Sequence, residues 1–417
     1  MVIQYKSINK VRFPVYAMTS DDWHITDGLL FLEGKILDDR NNIIEQSEKV
    51  ITYDRFIDND LIHFSNYACE RAIPSICDGL KPSLRKVLYS AMKRNLKKEI
   101  KVAQFAGYVS ENAAYHHGEK SLNECIIGMA QNFVGSNNIE LLVPNGQFGS
   151  RLLGGKDAAA PRYIFTKMND ITSLIYHPDD APLMKYNEDD GYKIEPEFYV
   201  PILPMILVNG TKGIGTGFST NIPSHNPLDI IENLENMMEG KEIKMMKPWF
   251  RGFEGDVTFK KVNEFGYDVY SNKGKYVKLS DTKIQITELP IGTWTEKYKE
   301  DLEKLVYDKT AEEKYKKKQC LVNIENNSTE TKVNFTLTFK PTELNDLISK
   351  NKLEKILKLS DETNSSYSNM YLYNQKGILT KYDSAEKILK EFYLIRYAYY
   401  IKRKEYNLRK LKRELEE

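Results

Sequence analysis

The sequence has little cysteine, no long hydrophobic run and almost no net charge. Its four cysteines among 417 residues form no CxxC pair, which excludes a disulfide scaffold and argues against a zinc site. No apolar stretch approaches the roughly 20 residues of a bilayer-spanning helix, and the N-terminus lacks the layout of a secretory signal. We therefore expect an intracellular chain with no membrane segment.

The patterning predicts an α+β protein of several domains. Residues 1–56 contain short strands but too little apolar material for a core of their own. Small helices, tight turns and a Gly-rich, hairpin-like segment at 145–155 then predict a helix-turn-helix module with a wing, and mixed α/β structure follows residue 204. The predicted strands are 29–32, 50–53, 283–289 and 333–339, and the predicted helices are 83–97, 119–134, 295–306 and 343–359.

The last segment has the pattern of a long charged helix. Asp383 and Glu386 have the spacing of a capping box at its start. Apolar residues then recur every seven positions, at Leu394, Ile401, Leu408 and Leu415. This spacing predicts the start of a coiled coil. Because the pattern is still running at residue 417, we expect the sequence to be a fragment of a longer chain.

Charge is distributed unevenly, although 60 Lys and Arg nearly balance 59 Asp and Glu. Residues 81–101 carry eight Lys and Arg against one Glu, a net charge of +7. Residues 177–197 carry seven Asp and Glu against two Lys, a net charge of −5. A basic run is most often a solvated helix face, but this segregation favours a phosphate-binding surface that includes Lys81, Arg85 and Lys86.

Two motifs contain side chains suited to phosphate chemistry. Neighbouring His116 and His117 point in different directions, so a phosphate hydrogen bond or a proton transfer fits them better than a shared metal, and a polar helix cap fits equally well. Arg162 and Tyr163 follow a Gly-rich loop that contains Lys156. A tyrosine oxygen becomes nucleophilic when a cation such as Arg162 stabilises the phenolate and the transferring phosphoryl group. The alternative is an Arg–Tyr pair that only packs on the surface.

A third motif, residues 209–218, holds four glycines. Their spacing fits neither Walker A nor GxGxxG, which argues against an ATP or NAD site in this loop. The glycines would allow a close approach of backbone to another molecule. Ile214 is the lone apolar side chain at the tip, and such a side chain can wedge between base pairs and kink a duplex.

Taken together, these motifs resemble the DNA breakage-reunion core of type IIA DNA topoisomerases, on the eukaryotic and viral branch. The resembling stretches are DGLKP (78–82), YHHGE (115–119), QNFVGSNN (131–138), GGKD (154–157), PRYIFT (161–166) and NGTKGIGTG (209–217). The resemblance implies a connector at 1–56, a winged-helix DNA-cleavage domain at 57–200, a tower domain at 201–383 and a truncated coiled-coil arm at 384–417.

The same resemblance implies roles for individual residues. Tyr163 would form a 5′-phosphotyrosyl bond with DNA, Arg162 would stabilise the transition state, and His117 would assist at the scissile phosphate. DNA contacts would come from basic and histidine side chains and from the isoleucine wedge. These DNA-binding residues would be Arg71, Lys81, Arg85, Lys86, His116, Lys156 and Ile214.

The predicted activity is therefore that of a type II DNA topoisomerase, an ATP-dependent isomerase that cleaves, passes and rejoins double-stranded DNA as a homodimer. Mg²⁺ and ATP would be bound by domains outside this sequence, so no metal ligands are expected within it. We expect the enzyme in the nucleus or, for a viral protein, at replication sites in the host cell. The alternative functions are a non-enzymatic winged-helix DNA-binding protein and a coiled-coil scaffold.

Overall fold

The computed structural model describes residues 53–307 and 319–417 with their side chains, and the backbone of seven strands before residue 53. The chain forms two compact units, residues 1–70 with 215–218 and residues 71–214 with 219–417. Within the first unit, antiparallel pairing joins β1 to β2, β5 to β6, and β4 to both β3 and β7. The strands are β1 (Val2–Gln4), β2 (Pro14–Tyr16), β3 (Trp23–Thr26), β4 (Leu29–Leu32), β5 (Ile36–Leu37), β6 (Ile43–Ile44) and β7 (Val50–Ile51).

The predicted strands at 29–32 and 50–53 are confirmed by β4 and β7, except that Tyr53 begins a helix. That helix, α1 (Tyr53–Phe56), continues through a π-helical turn (Ile57–Leu61) into α2 (Ile62–Ala72).

A helical module with a three-stranded sheet follows. Its helices are α3 (Pro82–Lys93), α4 (Val102–Asn112) and α5 (Glu119–Ala130), and its strands are β8 (Ile100–Lys101), β9 (Leu142–Asn145) and β10 (Phe165–Met168). The sheet is antiparallel in the order β8-β10-β9. Proline at the first position of α3 starts that helix, because its fixed φ suits the helix and its missing N–H would be unpaired there anyway. The helix ends four residues before the predicted end, and Asn95 just beyond it has a positive φ of 50°.

Short elements connect this module to the rest of the second unit. They are α6 (Asp170–Ile175), a 3-10 helix (Pro178–Leu183), β11 (Tyr186–Asp189), β12 (Tyr192–Pro196), α7 (Met205–Asn209), β13 (Thr211–Ile214), β14 (Ser219–Ile222) and α8 (Pro227–Met238). Both β11–β12 and β13–β14 are antiparallel hairpins. Buried side chains of α3, α4, α5, α7 and α8 share one hydrophobic core with the start of the C-terminal helix. This core takes residues from both sides of the predicted boundaries at 200/201 and 383/384, and those boundaries stay predictions.

A second hydrophobic core lies within residues 284–359. It is built on the sheet β17-β18-β20-β19 and the helices packed against it. The remaining elements are β15 (Asp256–Val262), β16 (Asp268–Lys273), β17 (Lys275–Lys278), β18 (Lys283–Glu288), α9 (Thr295–Glu303), β19 (Leu321–Asn326), β20 (Phe335–Phe339), α10 (Glu343–Ser349), α11 (Leu353–Ile356), β21 (Ser360–Asp361), a 3-10 turn (Thr363–Ser365), β22 (Met370–Tyr373) and β23 (Leu379–Tyr382).

Both predicted strands in this region are confirmed by β18 and β20, and the helix predicted at 295–306 is α9, three residues shorter. The helix predicted over 343–359 is instead two helices, α10 and α11. Asn351, between them, has a φ of +52°, which interrupts the helical backbone.

The C-terminal helix α12 (Ala385–Glu416) is 32 residues long. Its N-cap is Ser384, whose side chain accepts from the backbone N–H of Lys387 at 3.2 Å. The predicted capping box is therefore wrong, since Glu386 instead accepts from the backbone N–H of Met246 at 2.8 Å. Near its start, the helix is tied to the 3-10 helix by Arg396, which donates to Asp180 at 2.6 Å and to the carbonyl of Val200 at 2.7 Å.

The heptad residues of α12 are all exposed in this single chain. The exposed fractions of Leu394, Ile401, Leu408 and Leu415 range from 46% to 87%. This row of apolar side chains supports the predicted coiled coil, which needs a second helix to cover it.

A histidine is fully buried in the first core. His225 Nε2 lies 2.7 Å from the Tyr367 hydroxyl oxygen, and its Nδ1 lies 3.4 Å from the carbonyl of Leu207. Burial lowers the pKa of His225 from 6.5 to about 4. Protonation of the buried ring is thus disfavoured in the folded protein and allowed in the unfolded chain.

This histidine predicts a loss of stability in acid. The contribution is complete above pH 6.5 and falls as pH decreases from 6.5 towards 4, because the unfolded chain then binds a proton that the folded protein does not. Between pH 6.5 and 5 the free energy of unfolding should fall by roughly 2 kcal/mol from His225 alone. Urea unfolding at the two pH values measures this change. The His225→Gln variant should lose that part of the dependence, whereas His63→Gln, at an exposed position, should keep it.

Candidate functional site

Tyr163 is an exposed side chain on a rigid loop. Its exposed fraction is 65%, and the central guanidinium carbon of Arg162 lies 4.8 Å from the centre of its ring. The N–H of Tyr163 donates to the carbonyl of Ala160 at 2.9 Å. On either side of it, the carbonyls of Pro161 and Ile164 accept from the first two N–H groups of α4. The phenol is thus open to solvent while its backbone is fixed on both sides.

The Gly-rich loop before Tyr163 is closed by hydrogen bonds across its base. The side-chain amide of Gln131 donates to the carbonyls of Phe148 and Gly155, at 2.9 and 3.2 Å. Asp157 accepts from both the N–H and the hydroxyl of Ser150. This carboxylate therefore shapes the loop, and exposed Lys156 stands beside it.

The two histidines lie in the turn before α5 and differ in their surroundings. His116 is exposed, and its Nε2 lies 3.2 Å from a carboxylate oxygen of Asp189 on β11. His117 is half-buried, with its ring 5.3 Å from the ring of Tyr115. Burial and then the charges of Arg71, His116 and Lys86 lower the pKa of His117 below 6.5, so its imidazole is neutral at pH 7.

Two members of the basic stretch are engaged inside the protein. Arg85 is 7% exposed and binds Asp78 through two nitrogens, at 2.7 and 3.1 Å. Lys86 pairs with Glu195 at 2.9 Å and donates to the carbonyl of Ala113 at 2.6 Å. These contacts leave neither cation available to a phosphate, and both are dropped from the proposed DNA contacts.

The partner of Lys86 shows how folding changes the charge pattern. Glu195 is on β12, which packs against α3, so part of the acidic segment 177–197 lies on the basic segment 81–101. The charges that are segregated in the sequence are therefore partly paired in the fold. The cations of this stretch that remain exposed are Lys93, Arg94, Lys97, Lys98 and Lys101.

Lys101 is a candidate that the motifs did not single out. On β8 it is paired in register with Phe165 of β10, two residues after Tyr163. Its ammonium lies 5.9 Å from the centre of the Phe165 ring. Membership of the basic stretch was its only signal in the sequence, because the pairing of β8 with β10 is tertiary.

Ile214 ends the first strand of a hairpin and is 88% exposed. On the same strand, Lys212 accepts from the ammonium of Lys81 through its backbone carbonyl at 2.7 Å, and its own ammonium donates to Asn364. Burial lowers the pKa of both lysines. A Cβ on Gly213 would collide with the carbonyl of Ala72, so only glycine lets the strand pass this closely. The hairpin thus holds an exposed apolar side chain beside half-buried cations.

The chain also matches known proteins over most of its length. The family model that describes DNA gyrase and topoisomerase IV covers residues 71–417. The chain belongs to this family. Within it, the similarity is to the eukaryotic proteins: the DNA topoisomerase 2 of Bombyx mori is 48% identical over 360 residues, and that of Saccharomyces cerevisiae is 45% identical over 374 residues. The resemblance read from the motifs and the predicted fold class are both confirmed.

These topoisomerase relatives are much longer than the chain. The matched region covers 86% of the chain and 22% of the Bombyx mori protein, and 90% and 25% in the Saccharomyces cerevisiae comparison. The DNA-binding, cleavage and re-ligation domain of Plasmodium falciparum topoisomerase II superposes with a TM-score of 0.80 at 43% identity, over 89% of this chain and 49% of that one. The chain thus spans about a quarter of the curated relatives it matches.

A metal site is the remaining question for the topoisomerase chain. Within residues 53–307 and 319–417, no three His, Cys, Asp or Glu side chains come together as a set of ligands. The described residues therefore do not fit a Mg²⁺ ion, and no chemical step is derived through one. Across the same part of the chain, no helix is both long and apolar enough to cross a membrane.

Proposed function

We propose that this chain is the DNA-gate part of a type II DNA topoisomerase and that Tyr163 is its nucleophile. The observation that carries the proposal is an exposed phenol on a fixed backbone with a guanidinium over its ring. Tyr163 Oη would form a bond to a backbone phosphorus as the bond from that phosphorus to the 3′ oxygen breaks. The phenol loses its proton and the departing 3′ oxygen gains one.

This exchange replaces one phosphodiester with another, so the reverse reaction rejoins the strand without a further energy source. Arg162 would stabilise the charge on the phenolate and on the phosphoryl oxygens. His117, neutral because of its lowered pKa, would hydrogen-bond the scissile phosphate. One tyrosine cuts one strand, so cleavage of both strands requires two protomers related by a two-fold axis.

DNA contacts in this proposal come from Arg71, Lys81, His116, Lys101 and Lys156, with Ile214 as the wedge that bends the duplex. Two of these side chains are already partly engaged. The Arg71 guanidinium donates to the Ser121 hydroxyl at 3.4 Å, and His116 faces Asp189. Bound phosphate would compete with both partners.

The whole enzyme would pass a second duplex through the break under the control of ATP, with Mg²⁺ and ATP held outside the described residues. Its place would be the nucleus or, for a viral protein, replication sites of the host cell. A winged-helix DNA-binding protein without enzymatic activity is the second candidate, because the same basic face would serve it.

A covalent adduct distinguishes these functions. The protein expressed from its complete coding sequence is mixed with end-labelled duplex DNA and Mg²⁺ and then denatured with detergent. We expect label to remain attached to protein through the 5′ end of each cut strand. In parallel, DNA affinity should fall steeply between 50 and 200 mM salt, because phosphate contacts release counterions. Steep salt dependence without an adduct would favour the architectural protein, and the absence of both would favour a scaffold.

A further inference from the structure

We propose that the second core positions the nucleophile, through a brace formed by Arg151, Glu288 and Trp294. This inference rests on the proposed role of Tyr163. The three residues lie outside every motif that identified the site, and two of them are more than 120 residues beyond Tyr163 in sequence.

The first contact is a buried ion pair between the Gly-rich loop and β18. Arg151 is 6% exposed and Glu288 is 2% exposed. Two guanidinium nitrogens of Arg151 face the two carboxylate oxygens of Glu288. Glu288 also accepts from the N–H groups of Leu289 and Glu254, at 2.8 and 3.2 Å, so its position is fixed from its own side. A pair that is paired, buried and hydrogen-bonded in this way holds the loop in one geometry.

The second contact is made by the N-terminus of helix α9. Its N–H groups at Thr295 and Glu296 donate to the carbonyls of Arg151 and Leu152, at 3.3 and 3.1 Å. The first N–H groups of a helix have no partner within it, and here the loop supplies their acceptors. Because α4 supplies N–H groups to Pro161 and Ile164 in the same way, the chain around Tyr163 is held between two helix starts.

The third contact is steric. Trp294 packs edge-on to Phe133, with ring centres 5.7 Å apart, and its indole lies over Gly154. A Cβ on Gly154 would overlap the indole ring. Gly154 has a φ of +64°, so both its backbone conformation and the ring above it require glycine.

The path from the brace to the nucleophile is short and continuous. Gly155 donates to the carbonyl of Ser150, and Asp157 binds Ser150. Ala159 donates to the carbonyl of Gln147 at 2.8 Å, and Ala160 accepts from Tyr163. A displacement of the loop at 150–154 is therefore transmitted to Tyr163 through backbone hydrogen bonds. Arg151, Glu288 and Trp294 act as positioning residues and do not contact DNA in this scheme.

The test separates positioning from general stability. In the protein expressed from its complete coding sequence, single-turnover adduct formation and the DNA dissociation constant are measured for Trp294→Ala, Trp294→Phe and Leu337→Ala. Leu337 is fully buried in the same core but lies on β20. We expect Trp294→Ala to form the adduct about 10- to 100-fold more slowly, since a misplacement of about 1 Å can cost 100-fold. The dissociation constant should stay within twofold.

The conservative Trp294→Phe should recover most of the rate, and Leu337→Ala should stay within threefold of the unsubstituted protein. Equal slowing by Leu337→Ala, or an unchanged rate in Trp294→Ala, would overturn the proposal. Should Trp294→Ala fail to fold, Gly154→Ala replaces it, because the new methyl group pushes against the indole without emptying the core. An unchanged rate in that variant would also overturn the brace.

A second readout does not depend on activity. Hydrogen exchange of the Gly155, Ala159 and Tyr163 amides should accelerate at least tenfold in Trp294→Ala and remain unchanged in Leu337→Ala. If the unsubstituted protein forms no adduct, the proposed function fails, whereas the exchange data still decide whether the brace holds the loop. Unchanged exchange in Trp294→Ala would refute the brace even where the adduct forms normally.

Discussion

Replacing Tyr163 with phenylalanine should abolish the covalent DNA adduct while leaving duplex binding nearly unchanged. The substitution removes only the phenolic oxygen, and that oxygen is the atom that would bond to phosphorus. The ring is 65% exposed, so its loss of a hydroxyl leaves no buried polar group unpaired and should not affect folding. The adduct is measured by detergent trapping on end-labelled DNA, and affinity is measured by titration at fixed salt.

Tyr192→Phe is the matched control. Tyr192 is 77% exposed at the start of β12, so the same atom is removed from a similarly open ring. This variant should form the adduct at the unsubstituted rate. An equal adduct yield from Tyr163→Phe would refute the nucleophile assignment, and a large loss of affinity in that variant would mean that the phenol binds DNA instead of reacting with it.

Replacing Arg162 with glutamine should slow adduct formation by about 100- to 1,000-fold, the cost of removing one preorganised group that stabilises transition-state charge. The guanidinium lies against the Tyr163 ring, where it would favour the phenolate as well as the phosphoryl oxygens. Binding should change far less, with the salt dependence of affinity reduced by about one phosphate contact. Rapid-quench measurement of the single-turnover rate separates the two effects.

Lys376→Gln controls for the loss of one positive charge. Lys376 is exposed in the turn between β22 and β23. It should leave both the rate and the salt slope unchanged. Arg162→Lys keeps the charge but loses the flat guanidinium, so it should fall between the parent and Arg162→Gln. If Arg162→Gln reduced affinity and rate in equal proportion, Arg162 would be a DNA-binding residue with no separate role in the chemistry.

Local patterns predicted well the parts of the site that one segment of chain can define. Tyr163 and Arg162 are neighbours in sequence, and the glycines around Ile214 indicate a strand that passes close to another backbone. Periodicity likewise located β18 and β20, because strand alternation depends on which side chains are buried. Each of these features needs only a few consecutive residues.

Features set by distant residues were not predictable in this way. Arg85 and Lys86 belong to a basic run, and only the fold shows that Asp78 and Glu195 take up their charges. Likewise, Glu288 is 137 residues from Arg151, and neither side chain carries a motif that indicates the other. The capping box failed for a related reason, since Met246, a residue from another segment, takes the carboxylate of Glu386.

The ion pair at Asp180 has a mechanical consequence for the C-terminal helix. Arg396 fixes α12 near its first third, and the 20 residues beyond it project about 30 Å at 1.5 Å per residue. The helix is then a lever with its fulcrum at Asp180. A rotation of roughly 5° about that point, acting over this length, carries the far end by about 3 Å. Small displacements of the 3-10 helix are thereby amplified at the tip, and a sideways force on the tip is multiplied where Arg396 meets Asp180.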